Sequence, residues 1–194
     1  MATSCGEITD DILRNCDDKP VGGAENVMAV LPVEVWNRAT KVFDVANPNI
    51  ITGITLADGD KAFRFETYKR NFKPKFETQD TDFGSYYKHS IAAVFPTYDD
   101  DFKLQIPALT ESYSVFIVEN VKKTGVVFEV YGGTNGLRMP DLARDLAANE
   151  GTVGGTFTND EDMNEPKVPY TFGATASSYA VKKAAFDALF TVAA

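Results

Sequence analysis

Alternation of apolar and polar residues dominates the chain and predicts a mainly β protein. Residues 61–67, KAFRFET, are the clearest example: Phe63 and Phe65 occupy one face of a strand, and charged residues occupy the other. Further stretches rich in apolar or β-branched residues predict strands at 27–36, 50–56, 72–78, 88–95, 114–121, 126–131 and 152–158, and a short extended piece at 167–172.

Turn signals between these stretches predict how the strands pair. Asp58-Gly59 stands between two of them, and a strand–DG–strand arrangement is a strong signal for a β-hairpin. Lys122-Lys123-Thr124-Gly125 predicts a second hairpin, and residues 79–87 are expected to form a loop. Because the strands follow one another directly, we expect mostly antiparallel sheets arranged as a β-sandwich or barrel.

Helical spacing of apolar residues occurs at three places. Phe102, Ile106 and Leu109 predict a short helix at the side of the sheets, kinked or shortened by Pro107. Residues 140–150 predict a second helix, which begins at a proline and ends before a glycine. From Ser177 onward the chain predicts a C-terminal helix, capped by one of two serines. Its apolar face is expected to comprise Tyr179, Phe186, Leu189 and Phe190, with Lys182, Lys183 and Asp187 at polar positions elsewhere.

These elements divide the chain into three parts. We expect an N-terminal arm at 1–26, a β-sandwich or barrel core at 27–172 and a C-terminal helix at 173–194. The first residues lack the apolar stretch of a secretory signal. No run of 18 apolar residues is present, so we expect no membrane-spanning segment and no membrane partner.

Negative charge is concentrated in two segments. The chain carries a net charge of −9. Residues 1–18 contribute −4 and residues 141–165 contribute −6, so the rest is nearly neutral. Affinity for nucleic acid comes from basic residues that release counterions, which gives this acidic protein no electrostatic reason to bind it. Repulsion of nucleic acid can itself be a function.

No group of residues carries the pattern of a catalytic or cofactor site, so we expect no enzyme activity, cofactor or metal. His89 is the single histidine, and its alternation with Ile91 and Ala93 favours a hydrogen-bonded structural imidazole. The spacing of Cys5 and Cys16 matches no zinc site, and two reduced thiols are expected. The glycine-rich stretch 132–136 predicts a turn, because it lacks the lysine and spacing of a phosphate-binding loop. The acidic stretch at 159–165 lacks the central glycine of a calcium-binding loop.

Aromatic and basic residues are interleaved in one region. The aromatic residues are Phe72, Phe76, Phe83, Tyr86 and Tyr87, and the basic residues are Lys69, Arg70, Lys73 and Lys75. This pattern can stack the bases of single-stranded nucleic acid. A β-hairpin arm whose lysine stems cover apolar surface is the alternative that we favour.

The order of these elements resembles the major tail tube proteins of tailed bacteriophages. The resemblance covers roughly residues 27–172. The segments NPNIITGITL, KHSIAAVF, VFIVENV and VVFEVYGGTNGL follow one another in that order. The later run EGTVGGTFTNDEDMNEPKVPYTF is similar to the end of prophage-encoded tail proteins, in which a G-x-x-x-T-x-T strand precedes an acidic turn and E-P-x-x-P.

The resemblance implies a non-enzymatic virion protein that is assembled in the host cytoplasm. Six subunits would form a ring, and stacked rings would form a tube through which DNA passes without specific binding. The partners would be further copies of the chain and other virion proteins. An acidic wall would keep DNA from adhering. The candidate assembly residues are Trp36, Phe72, Phe76, Tyr179, Phe186 and Phe190. The candidate acidic residues of the lumen are Glu150, Asp160, Glu161, Asp162 and Glu165.

Two other classes of protein fit the same sequence. One is a different virion subunit of β type, such as a head decoration, ring or tail-completion protein. The other is a cellular ligand-binding or enzymatic β domain, which requires a deep pocket with converging polar groups.

Overall fold

Two β-sheets and three helices make up the computed structural model of the chain, which describes residues 23–67, 71–81, 84–95, 100–144, 153–160, 162–174 and 177–193. Strands account for 46% and helices for 18% of these residues, which confirms the mainly β prediction. In chain order the elements are β1 (Ala24–Pro32), α1 (Val33–Arg38), β2 (Thr40–Phe43), β3 (Ile50–Thr55), β4 (Phe63–Glu66), β5 (Lys73–Thr81), β6 (Gly84–Phe95), α2 (Asp100–Glu111), β7 (Ser114–Asn120), β8 (Phe128–Tyr131), β9 (Ala143–Arg144), β10 (Val153–Thr158), β11 (Tyr170–Phe172) and α3 (Tyr179–Ala188).

The large sheet has seven strands in the order β2-β3-β11-β8-β7-β1-β4, and the small sheet has four in the order β5-β6-β10-β9. All neighbouring strands are antiparallel except β3 and β11, which run parallel. The hairpin predicted around Lys122–Gly125 is confirmed as β7 and β8, with Phe116 opposite Tyr131. The sheets lie face to face in a sandwich-like arrangement.

The hairpin predicted at Asp58-Gly59 is wrong, although the chain does turn there. β3 pairs with β2 and β11, whereas β4 pairs with β1 at the far edge of the sheet. The two strands lie five positions apart in strand order, which corresponds to about 24 Å at the usual strand spacing. The connecting segment instead bonds to the C-terminal residues: Gly59 N donates to Ala193 O and Ala62 N to Leu189 O. These long-range bonds override the local hairpin signal.

The central strands are buried on both faces, which produces three layers. In β1, Ala29 and Leu31 face a core shared with α3, while Met28 and Val30 face a second core beneath the small sheet. β7 repeats this division along Val115–Val118. Two buried faces require apolar residues at consecutive positions, and this explains the unbroken apolar runs of both strands.

Three expected elements differ from the structure. The strand expected over 27–36 ends at Pro32, which has extended backbone angles and is the N-cap residue of the helix α1 over residues 33–38. The helix expected at 140–150 is contradicted at Ala143–Arg144, which pair with β10 as β9; residues 145–150 lie outside the described ranges. The loop expected at 79–87 is largely strand, because β5 and β6 continue as far as Thr81 and Gly84.

Two of the predicted helices are present. In α2, Phe102 and Leu109 pack against the core between the sheets. In α3, Ser178 Oγ accepts a bond from Val181 N, and the Phe186 ring stacks on Phe128 with ring centroids 4.7 Å apart. Lys182 departs from its expected exposed position. It is buried, and its Nζ donates to Gly125 O at 3.0 Å, so its charge reaches a carbonyl at the edge of the core.

Phe186 should be the main anchor of α3. Phe186→Ala leaves a cavity against Phe128 and should lower the free energy of unfolding by about 3–5 kcal/mol, measured by urea denaturation. Val181→Ala, on the exposed side of the same helix, should change it by no more than about 0.5 kcal/mol. Equal effects of the two substitutions would contradict the docking of α3 through this face.

Candidate functional site

A two-stranded ribbon extends from the small sheet. β5 and β6 pair continuously from Lys73 opposite Ala92 to Thr81 opposite Gly84, but β10 pairs with β6 only from Ser90 to Phe95. Beyond Ser90, the bridge between Tyr87 and Glu165 and the bond from His89 N to Asn159 Oδ1 join these strands to the rest of the described chain. We define the ribbon as residues 75–81 and 84–88. Its five residue pairs, from Glu77 opposite Lys88 to Thr81 opposite Gly84, extend about 17 Å at about 3.3 Å per residue. The predicted hairpin is therefore confirmed, and the covering of apolar surface by its lysine stems stays a prediction.

Most of the ribbon is exposed, including two of its aromatic side chains. Phe76 is 45% exposed and Tyr86 is 38% exposed. The two rings lie on opposite faces, because Phe76 is opposite His89 and Tyr86 is opposite Gln79 in the register. Phe76 contacts Tyr87 edge-on, with ring centroids 6.3 Å apart. The ribbon thus presents apolar surface on both faces.

Charges of both signs flank these aromatic rings. Lys75 pairs with Glu77 along β5, and this ammonium group holds the pKa of the Glu77 carboxyl below its usual value. Lys73, Lys75 and Lys88 lie on one face of the ribbon by strand alternation. Lys69 and Arg70, the other two members of the predicted basic patch, lie outside the described residues.

The base of the ribbon is joined to the sandwich by a buried carboxylate. Glu165 is 1% exposed, and its carboxylate accepts bonds from Thr134 N and Asn135 N, each at 2.9 Å. Its backbone pairs in both directions with Tyr87. Burial raises the pKa of this carboxyl, and the bonds from Asn135 and Thr134 oppose that effect. Glu165 therefore connects the ribbon to the glycine-rich stretch after β8.

The stretch 132–136 is a turn, as predicted. Two of its backbone amides, those of Thr134 and Asn135, already donate hydrogen bonds within the protein. Gly132 and Gly136 have φ values of +71° and +78°, a region that L side chains seldom adopt. Gly136 N donates to Gly132 O at 2.9 Å, which closes the turn. Because the amides of Thr134 and Asn135 bind the protein's own carboxylate, the loop does not offer them to an external phosphate.

His89, in β6, is hydrogen-bonded to the same turn. It is 1% exposed; its Nδ1 accepts a bond from Gly132 N at 3.1 Å, and its backbone N donates to Asn159 Oδ1 at 2.8 Å. Burial lowers the pKa of the imidazole from 6.5 to about 4, so it is neutral at pH 7. The expected structural histidine is confirmed. We name His89, Asn159 and Glu165, together with the turn 132–136, the clamp.

The candidate assembly residues divide into a buried and an accessible group. Trp36, Phe72 and Phe186 are at most 2% exposed and belong to the core, so the prediction that they contact other subunits is wrong. Trp36 Nε1 instead donates to Gly133 O at 2.8 Å. Tyr179 and Phe190 are partly buried against the core under α3. Of the six, Phe76 has the most accessible side chain, and it lies on the ribbon.

The candidate lumen acids also differ in accessibility. Glu165 does not face a channel, because its carboxylate is buried in the clamp, and this prediction is wrong. Asp160 is partly exposed but is bound by Arg138 Nε at 2.8 Å and by the Tyr113 hydroxyl. Those partners lower the pKa of its carboxyl. Asp162 is exposed, and Glu150 and Glu161 lie outside the described residues.

The clamp could not be found from residue spacing. Its members come from β6, the end of β10, the turn after β8 and the segment before β11. The single relevant signal was the combination of a lone histidine on an apolar strand face with a glycine-rich turn. Nothing in the sequence distinguished Glu165 from the neighbouring acids.

Comparison of the chain with protein-family models, curated proteins and solved structures finds no match. Within the described ranges, no cluster of three or more His, Cys, Asp or Glu side chains is placed to hold a metal ion. The described helices include none that is both long and apolar enough to cross a membrane.

The clamp predicts a dependence of stability on pH. An unfolded chain protonates His89 below about pH 6.5, whereas the folded protein resists protonation down to about pH 4. Acidification from pH 7 to pH 4 should therefore lower the free energy of unfolding by up to about 3 kcal/mol. Urea denaturation of His89→Gln should show a smaller loss of stability over this range than the wild type.

Two further variants test this origin of the pH dependence. Glu165 has the opposite effect on stability: because its pKa is raised in the folded state, the folded protein takes up this proton first, which favours folding as the pH falls. Glu165→Gln removes this contribution and should therefore increase the loss of stability at low pH. Lys88 is next to His89 on the opposite strand face. Lys88→Gln should leave the dependence of the free energy of unfolding on pH as it is in the wild type. If the free energy of unfolding of His89→Gln changed with pH as it does in the wild type, this account would be contradicted.

Proposed function

We propose that this protein is a non-enzymatic virion subunit that assembles with copies of itself into the tail tube of a bacteriophage. The observation that carries the proposal is the ribbon, which projects from the sandwich and exposes aromatic side chains on both faces. A two-stranded hairpin is at best marginally stable alone in water, and three or more strands or a packing partner are normally needed. A neighbouring subunit would supply that partner.

The outer strands of the large sheet support the same proposal. In the described chain, β2 and β4 each pair on one side only. β2 also exposes Val42 and Phe43, at 54% and 42%. Open apolar edges promote pairing with another chain. Because the ribbon and these edges are different surfaces, contact between them is head-to-tail, and such contacts generate rings or filaments.

The distribution of charge supports a conduit for DNA. A channel lined by acidic residues in several copies concentrates a repulsive field, because low-dielectric walls focus it. The exposed Asp162 and the acidic residues of segment 141–165 are the candidates for that wall. Glu165 is not among them, since its charge is enclosed by the clamp.

Electron microscopy and sedimentation of concentrated protein test the assembly. The wild-type protein should form rings or open tubes. Phe76→Ser combined with Tyr86→Ser should leave folded monomers, because it removes the exposed aromatic surface of the ribbon without touching either core. The matched control, Val181→Ser with Val192→Ser, removes two exposed apolar residues from the α3 region and should assemble normally.

A wild-type protein that stays monomeric at high concentration would contradict the proposal, as would a ribbon variant that assembles as well as the control. Closed rings without tubes would favour another virion subunit, such as a head decoration, ring or tail-completion protein.

The assembled protein should not bind duplex DNA. We expect no measurable binding at about 50 mM salt, where electrostatic affinity is strongest, measured by fluorescence anisotropy. Micromolar, salt-sensitive binding that disappears when Lys69, Arg70, Lys73 and Lys75 are replaced would contradict the conduit and favour a nucleic-acid-binding β domain.

A cellular ligand-binding β domain is the second candidate, and one observation favours it. A cavity of about 460 Å³ opens between β4 and α2. This volume lies within the range of small-molecule sites. A monomeric protein that retains a small apolar ligand through purification would favour this function over the tube.

A further inference from the structure

An apolar groove runs between the edge strand β4 and the helix α2. Two adjoining cavities form it, with volumes of about 460 and 190 Å³, and both are lined by Phe65, Gln105 and Leu109. The floor includes Phe116 and Phe157 from the core between the sheets. Phe63, at 50% exposure, forms part of the rim. At the groove, one side of this core is therefore open to solvent.

The groove begins close to the point where the described chain starts. Glu66 lines the smaller cavity and is opposite Val27 in β1, four residues after Gly23. Gly23 has a φ of +108°, a conformation that allows the chain to reverse direction before it enters β1. A segment that precedes Gly23 therefore needs only a short connection to reach the groove.

The preceding segment has the sequence of an amphipathic helix. Ser4 and Glu7 have the S-x-x-E spacing of a capping box. At 100° per residue, Ile8, Ile12, Leu13 and Cys16 fall within an arc of about 140°. The charged residues occupy the opposite arc: Glu7, Asp10, Asp11, Arg14, Asp17 and Asp18.

The dimensions of segment and groove agree. Nine residues from Ile8 to Cys16 span about 12 Å as a helix, and the α2 wall from Phe102 to Glu111 spans about 14 Å. A helix this short is marginal in water and needs an apolar surface to pack on. A helix that lies in a groove presents apolar anchors along one face, and this segment has four such residues on one face.

We propose that the groove between β4 and α2 binds the N-terminal segment of the same chain, residues 1–22, through the face formed by Ile8, Ile12, Leu13 and Cys16. The six residues between Cys16 and Gly23 place Cys16 at the Phe102 end of the groove and Ile8 at the Ser112 end. The acidic arc faces solvent. This docking seals the core and does not depend on assembly of the protein.

Disulfide trapping in the full-length chain tests the proposal, at a dilution where the protein is monomeric. The variant combines Cys5→Ser with Gln105→Cys and leaves Cys16 as the second thiol. A disulfide requires Cα atoms within about 7 Å. Mild oxidation should link Cys16 to the thiol introduced at position 105 within one chain, identified by peptide mass mapping. Val181→Cys in the same background, exposed on α3, should not become linked.

A second substitution shows whether the apolar face directs the docking. Ile12→Asp should abolish the link at position 105, whereas Asp11→Ala, on the charged arc, should preserve it. Equal yields at positions 105 and 181, links between two chains, or trapping that is insensitive to Ile12→Asp would overturn the proposal.

Alkylation of Cys16 gives a readout that does not depend on an engineered thiol in the groove. In a Cys5→Ser chain, Ala108→Trp should fill the groove and raise the alkylation rate about tenfold, as for a segment docked about 90% of the time. Val181→Trp, far from the groove, should leave the rate unchanged. An unchanged rate in Ala108→Trp, with the fold intact by circular dichroism, would contradict the proposal.

Discussion

Burial of β1 and β7 on both faces is the constraint on which the structure depends. Each strand contributes alternate residues to two cores, so neither face can be left without a covering layer. α3 covers one face through Phe186 and Leu189, and the small sheet covers the other through Ile91 and Phe157. Three features satisfy this need to cover both faces of β1 and β7. They are the order of strands, the long crossing from β3 to β4 and the return of the chain end to the large sheet.

The clamp connects the layers at the point where the ribbon leaves the sandwich. A buried carboxylate without hydrogen-bond donors would cost several kcal/mol, and the amides of Thr134 and Asn135 supply donors to Glu165. The same amides would otherwise be an anion site. The turn therefore fixes the base of the ribbon, and a rigid base allows an exposed hairpin to be presented in one direction.

Local signals in the sequence predicted the elements whose partners lie nearby in the chain. The β7–β8 hairpin and the cap of α3 are of this kind. Partners distant in sequence decided other elements: the C-terminal residues take the bonds that a hairpin at Asp58-Gly59 would have made. The burial of Phe186 followed from the apolar face predicted for α3, but the burial of Trp36 and Phe72 could not be predicted. The sequence does not distinguish an aromatic residue that packs in a core from one that packs against another subunit.

The central claim is that the ribbon becomes ordered against another copy of the chain, and hydrogen exchange of its amides as a function of protein concentration tests this directly. The account predicts fast exchange across residues 76–81 and 84–86 in dilute protein, and protection that appears with assembly while amides of β1 and β7 stay protected throughout. Ribbon amides already protected in the dilute monomer, or still exchanging fast in the assembled protein, would contradict it.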